Sequence, residues 1–190
     1  MAIKKFKKVL VANRGEIAIR VFRALNELGI TTVGIFSKED RYALFRSKAD
    51  ESYMLNPEKG PVDAYLDINT IIRIAKEKKV DAIHPGYGFL SENPEFVEAC
   101  EANGITFIGP SADLMRAMGD KISSKKMAIE ADVPIIPGVD YAIHDEETVI
   151  KIADEIGYPV MLKASNGGGG RGMRIVNSRE EMPKEYAEAR

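Results

Sequence analysis

Short continuous apolar runs alternate along this chain with stretches in which apolar residues recur every three or four positions. Val9, Leu10, Val11 and Ala12 form the first run, with no polar face, as in a strand buried on both sides of a parallel sheet. Ile17, Ala18, Val21, Phe22, Leu25 and Leu28 follow at helical spacing, and Gly29 stands where helices commonly end in the left-handed conformation. Thr31 to Phe36 reads as a second strand, and Ile68, Ile71, Ile72 and Ala75 as the buried face of a second helix. Val80 to Ile83 and Ile105 to Ile108 read as further strands. Between them, Asn93 and Pro94 look like the N-cap and first turn of a helix running through Phe96, Val97 and Cys100 to Gly104. Strands alternating with helices predict an α/β fold, a doubly wound parallel sheet.

Past Gly109 and Pro110 the pattern changes. Ser111 to about Ala131 reads as one long helical region carrying Leu114, Met115, Met118, Ile122 and Ile129, with no strand close behind, and a boundary is placed near its start. After turns at Pro134 and Pro137 comes a helix with Val149, Ile152, Ala153 and Ile156, closed by Gly157. Two strands follow, Val160 to Ala164 and Met173 to Asn177, separated by Ser165-Asn166-Gly167-Gly168-Gly169-Gly170-Arg171-Gly172. Strand, glycine loop, strand predicts a hairpin whose tip reaches a ligand. A last helix begins near Ser178 and is still running at Arg190, so the second domain reads as unfinished.

Over 190 residues, 27 Lys and Arg against 29 Asp and Glu give a formal net charge of −2. That balance argues against a generic nucleic-acid or anionic-membrane surface, and the clusters Lys4 to Lys8 and Lys76 to Lys79 read as solvated faces. Cys100, the only cysteine, allows no internal disulfide and fits a small buried hydrophobe in a reducing compartment. The apolar run after the N-terminal lysines is too short for a signal-peptide core, and no run approaches the roughly 18 residues of a membrane span, so the cytoplasm is the expected location.

Four consecutive glycines cost backbone entropy on ordering, which is understandable where bare amides must approach something closely. Phosphate is the natural candidate, with Lys163 and Arg171 bracketing the loop; a merely flexible tip is the alternative. The P-loop spacing is absent, and this loop leads into a strand, whereas a P-loop opens a helix. Lys163 alternates with Leu162 and Ala164, so it shares the opposite strand face with Met161 and Ser165. Lys121 alone would pass for a surface helix residue.

The segment from His84 to Asn93 lies at the carboxyl end of a central strand, where open α/β sheets place ligands. For His84 and Tyr87, function and packing stand equal on this evidence. The turn Asn13-Arg14-Gly15-Glu16 has the position of a dinucleotide turn and lacks its glycines. Two distant histidines and one cysteine offer no transition-metal site of the usual spacing.

Taken together, VLVANRGEIAIR at 9–20, KADESY at 48–53, DAIHPGYGFLSEN at 81–93, FIGP at 107–110, MGDK at 118–121 and KASNGGGGRGMRIV at 163–176 resemble the biotin-dependent carboxylases, in the N-terminal part of their biotin carboxylase domain. The region from Ser37 to Tyr53, with Gly60-Pro61 and Tyr65-Leu66, is more similar to the pyruvate carboxylase branch than to the acetyl-CoA carboxylase subunit. The resemblance implies a Rossmann-like domain over 1–115, a helical linker over 116–134 and a partial ATP-grasp lid subdomain over 135–190. It implies ATP-dependent carboxylation of biotin with bicarbonate, through carboxyphosphate, with the biotin held on a carrier domain. By similarity Lys121, Lys163, Gly167, Gly168, Gly169, Gly170 and Met173 bind ATP, while Tyr87 and Gly88 lie near biotin. Arg20, Arg23 and Glu27, on the helix 16–28, fall where the family makes a homo-oligomer contact. Asn166 stands where many relatives have glycine. The Mg2+-binding carboxylates of the family lie beyond the segment matching Arg190, so the chain reads as a fragment inactive alone. A subunit of acetyl-CoA carboxylase and a non-catalytic dimerising or nucleotide-binding module are the alternatives.

Overall fold

The computed structural model describes residues 4–119, 121–136, 138–139, 141, 143–163 and 173–189. The chain divides into two compact units, Met1–Arg116 and Ala117–Arg190.

The first unit alternates strand and helix in the order β1 (Lys8–Val11), α1 (Gly15–Glu27), β2 (Thr31–Phe36), β3 (Glu51–Met54), α2 (Ile68–Glu77), β4 (Ala82–His84), α3 (Pro94–Ala102) and β5 (Thr106–Phe107). Two short 3-10 helices, Glu39–Tyr42 and Leu44–Lys48, join β2 to β3. All neighbouring strands run parallel, in the spatial order β3-β2-β1-β4-β5. The chain winds outward from β1 to β3 and then returns to β4 on the other side. The winding therefore reverses between β1 and β4, where Val11 pairs with His84.

Both sheet faces are covered, which accounts for the continuous apolar runs. Along β1 the side chains alternate: Leu10 packs with Ile71 and Ile74 of α2 and Phe96 and Cys100 of α3, while Val9 and Val11 pack with Ala18, Val21, Phe22 and Leu25 of α1. In β4, Ile83 joins the first cluster and Ala82 the second. Helix starts are defined locally: the Asp67 carboxylate accepts from the Thr70 amide at 3.2 Å, and the Asn93 side chain from the Phe96 amide at 2.7 Å with Pro94 in the first turn. Gly29, at φ 68°, ends α1.

Helix α4 (Ala112–Gly119) runs across the boundary between the units. The second unit contains α5 (Lys121–Glu130), α6 (Glu146–Ile156), the antiparallel pair β6 (Val160–Lys163) and β7 (Met173–Val176), a 3-10 turn at Arg179–Glu181 and α7 (Met182–Ala189). Val149, Ala153, Val176 and Met182 form its core, with Val160, Leu162 and Tyr186 against them.

The long helical region expected from Ser111 to about Ala131 is helical over Ala112–Gly119 and Lys121–Glu130, and Asp120 lies outside the described residues. Strands expected at 80–83 and 105–108 are observed shorter or shifted by one or two residues, and of the strand expected at 160–164 the described part, Val160–Lys163, is extended as expected. Strand β3 had no counterpart in the hydrophobic pattern, because this edge strand buries none of its four residues fully.

Candidate functional site

At the carboxyl end of the first unit's sheet, the turn after β1 meets the turn after β4. The Ala12 amide continues the ladder to His84 O at 2.9 Å. Beyond it the buried Asn13 side chain takes over: Nδ2 donates to Pro85 O at 2.7 Å and to Tyr87 O at 2.9 Å, while Oδ1 accepts from the Arg14 amide at 2.9 Å. His84 Nδ1 accepts from the Gly86 amide at 3.0 Å, so the neutral ring carries its proton on Nε2. Burial holds the His84 pKa below its ordinary value, in keeping with that acceptor role. Through Nδ1, His84 thus holds the turn at the end of its own strand. Tyr87 is not packed: it is 63% exposed, and its hydroxyl donates to Glu16 Oε1 at 2.7 Å, a bond that raises its pKa. Gly88, at φ 68°, has open space beside it, since an added Cβ would meet no atom within 4 Å. A flat ring can approach the main chain closely there.

A second layer supports this rim. Arg14 Nη2 pairs with Asp40 Oδ1 at 2.5 Å, and the Tyr65 hydroxyl donates to Asp40 Oδ2 at 2.7 Å while accepting from the Ser37 amide at 3.2 Å. Burial, reinforced by Asp40, pushes the Tyr65 pKa well up, so the phenol stays a proton donor. Its ring stacks on Phe89 with centroids 5.0 Å apart. Asn13, Arg14, Asp40 and Tyr65 were not singled out as site residues from the sequence. The one available signal was a polar side chain, Asn13, directly continuing a fully buried apolar run.

In the second unit, strand alternation sorts the hairpin into two faces. Val160 and Leu162 pack inward on the core. Met161 and Lys163 are exposed, and across the ladder they pair with Ile175 and Met173. Met161, Met173 and Ile175 are 49%, 44% and 60% exposed, which leaves an apolar surface ending in one lysine. That combination suits a ligand with a flat apolar part and an anionic tail. Lys121 opens α5. Gly167, Gly168, Gly169 and Gly170, with Asn166 and Arg171, lie outside the described residues. Arg20, Arg23 and Glu27 are exposed on α1.

Among the described residues no group of three or more His, Cys, Asp or Glu side chains could hold a metal ion, and no helix is long and apolar enough to cross a membrane.

A doubly wound parallel sheet with a polar rim at its switch point, followed by a unit carrying a β-hairpin, defines an α/β protein of the kind that precedes an ATP-grasp fold. Residues 5–115 match the biotin carboxylase N-terminal domain, and residues 120–190 match the ATP binding domain of the carbamoyl-phosphate synthase L chain. The chain belongs to the biotin carboxylase family. It is 53% identical over 190 residues to pyruvate carboxylase of Bacillus subtilis and 52% identical over 186 residues to mitochondrial pyruvate carboxylase of Homo sapiens. These matches cover 100% and 98% of the chain, which spans only 17% and 16% of the two relatives' lengths. Among solved structures, the biotin carboxylase domain of Hydrogenobacter thermophilus 2-oxoglutarate carboxylase superposes with a TM-score of 0.87 at 51% identity, covering 98% of this chain and 41% of that one. That structure is a domain dimer in complex with MgADP, ADP and bicarbonate.

Proposed function

We propose that this chain forms the amino-terminal part of an ATP-dependent biotin carboxylase of the pyruvate carboxylase branch. Its substrates are ATP, bicarbonate and the biotin of a carrier domain. The observation that carries the reading is the hairpin's exposed face, where Lys163 pairs with Met173 at the end of an apolar strip formed with Met161 and Ile175. In this reading the strip takes the adenine, and Lys163, with Lys121, faces the phosphates. Gly167 to Gly170 close over them and exclude water while charge builds on the transferring phosphoryl group. Bicarbonate oxygen attacks the γ-phosphorus and ADP leaves; carboxyphosphate then breaks down to CO2 and phosphate, the phosphate takes the proton of a biotin ureido N–H, and that nitrogen adds to the CO2.

Tyr87 and Gly88 line the biotin side, where the open space beside Gly88 supports a close ring approach. When bound, Mg2+ neutralises charge on the nucleotide phosphates; its ligands belong to segments that the longer relatives carry outside the matched region. The domain reading is a Rossmann-like unit over 1–115, a helical linker over 116–134 and a lid subdomain over 135–190. A homo-oligomer contact through helix 16–28 and a cytoplasmic location complete it.

Two measurements of ADP release test the proposal. The 190-residue chain alone should show no bicarbonate-dependent ATP cleavage, and turnover by a pure sample would overturn the division of labour. In the full-length carboxylase, Lys163→Ala should lower kcat/KM for ATP by about a hundredfold, as expected for a lost charge-assisted phosphate contact. An unchanged value would remove Lys163 from the nucleotide site.

A further inference from the structure

The turn that carries Tyr87 and Gly88 takes its shape from one side chain of a different element. Asn13 is 3% exposed, and its Nδ2 serves two carbonyls at once, Pro85 O at 2.7 Å and Tyr87 O at 2.9 Å. Its Oδ1 accepts from the Arg14 amide at 2.9 Å, so a flipped amide would set oxygen against both carbonyls and nitrogen against a donor. The three bonds all end on main chain, and two of them reach across 72 and 74 residues. Gly86 is shaped to this arrangement: at φ 68° it wraps the Asn13 amide so closely that an added Cβ would stand 2.6 Å from Nδ2. The anchor itself is rigid, because β1 is the central strand and its ladder to β4 continues through Ala12. A side chain needed only to stabilise the sheet would bond within the strands. Asn13 bonds the turn beyond them, on the rim where Tyr87 stands exposed.

We propose that Asn13 is a positioning residue for biotin carboxylation. It fixes the course of the main chain from Pro85 to Gly88, and so places the Tyr87 ring and the open side of Gly88 against biotin. The inference rests on the reading that puts Tyr87 and Gly88 at the biotin site, and the test separates the two.

The full-length carboxylase is assayed for bicarbonate-dependent ADP release, with free biotin and ATP varied in turn, in the wild type, N13A, N13D and Y87A. Asn13→Ala should lower kcat/KM for biotin on the order of tenfold or more, the cost of a displaced contact, and leave KM for ATP unchanged. Asn13→Asp keeps the volume and the acceptor for Arg14 but turns a carboxylate toward two carbonyls. Its kcat/KM for biotin, relative to wild type, should recover as pH falls and the carboxyl regains one donor. That pH profile also decides the matter if the alanine variant does not fold. If neither Asn13 variant affects biotin while Y87A does, the positioning role is wrong and the biotin site stands. If Y87A is also silent, the site assignment fails and the proposal falls with it. Equal losses for ATP and biotin, or an N13D profile parallel to wild type, would reduce Asn13 to a general structural residue and overturn the proposal.

Discussion

Replacing Tyr65 with phenylalanine isolates the polar support of the rim from its packing. The ring stays, including its stack on Phe89 at 5.0 Å, and only one oxygen is lost. That oxygen has two partners, Asp40 Oδ2 at 2.7 Å and the Ser37 amide at 3.2 Å, and Tyr65, Asp40 and Ser37 are 1%, 6% and 1% exposed. Water therefore cannot easily replace it. A hydrogen bond to a charged group contributes about 1.5–3 kcal/mol, and a buried amide left without a partner costs about 1–3 kcal/mol. Asp40 keeps Arg14 on its other oxygen, which moderates the first figure. The expected destabilisation is about 3 kcal/mol. The chain has no tryptophan, so urea unfolding is followed by circular dichroism. With a slope of about 2 kcal/mol per molar, the midpoint should fall by roughly 1.5 M. Repeating the change in an Asp40→Asn background should cost less, because the charge-assisted bond is already gone. A midpoint shift below about 0.3 M in the wild-type background would mean that water reaches Asp40 and Ser37, and the account of the second layer would be refuted.

Three further outcomes follow from the same turns. His84 has its pKa lowered from 6.5 by burial, so near that pH the unfolded chain binds a proton that the folded chain resists. Its contribution to stability is present above pH 6.5 and is lost as pH falls below it; His84→Asn, which keeps an acceptor for the Gly86 amide, should flatten the dependence of the melting temperature between pH 7 and pH 5. Gly86→Ala and Gly88→Ala share a starting φ of 68°, but only the first meets an atom, Asn13 Nδ2 at 2.6 Å. Both should lose the roughly 1–2 kcal/mol of a left-handed non-glycine residue, and Gly86→Ala measurably more in urea unfolding; equal losses would show that Asn13 yields freely. Ile83→Ala, at a fully buried position in β4, should cost about 2–5 kcal/mol, read by the same unfolding curve.

Which parts of this molecule could be read from the sequence follows from how local their causes are. Strands β1, β2 and β4 were legible because both sheet faces are covered, so their residues had to be apolar without interruption. Helix α3 announced itself through Asn93 and Pro94, whose capping needs only neighbours. Strand β3 was invisible because it is a half-exposed edge. In the sequence, the glycine loop and the 84–93 segment stood out because glycine clusters are costly without a purpose. That Lys163 shares a strand face with Met161, opposite Leu162, followed from alternation alone, and both are exposed, whereas the pairing of Lys163 with Met173 came from the structure.

The Asn13, Arg14, Asp40 and Tyr65 network was not legible, since its members come from the turns after β1 and β2 and from the approach to α2, and only parallel winding around β1 brings them together. The proposed role of the rim at the biotin site accounts for its composition. A ligand-facing turn must present bare main chain and cannot also be held by apolar packing of its own side chains. Polar groups from the rigid strand ends have to hold it from behind, and because they are buried there, each needs a full set of partners. The residues that shape the rim are therefore the polar ones that interrupt the hydrophobic pattern at the carboxyl ends of the central strands, a feature that a single sequence displays without explaining.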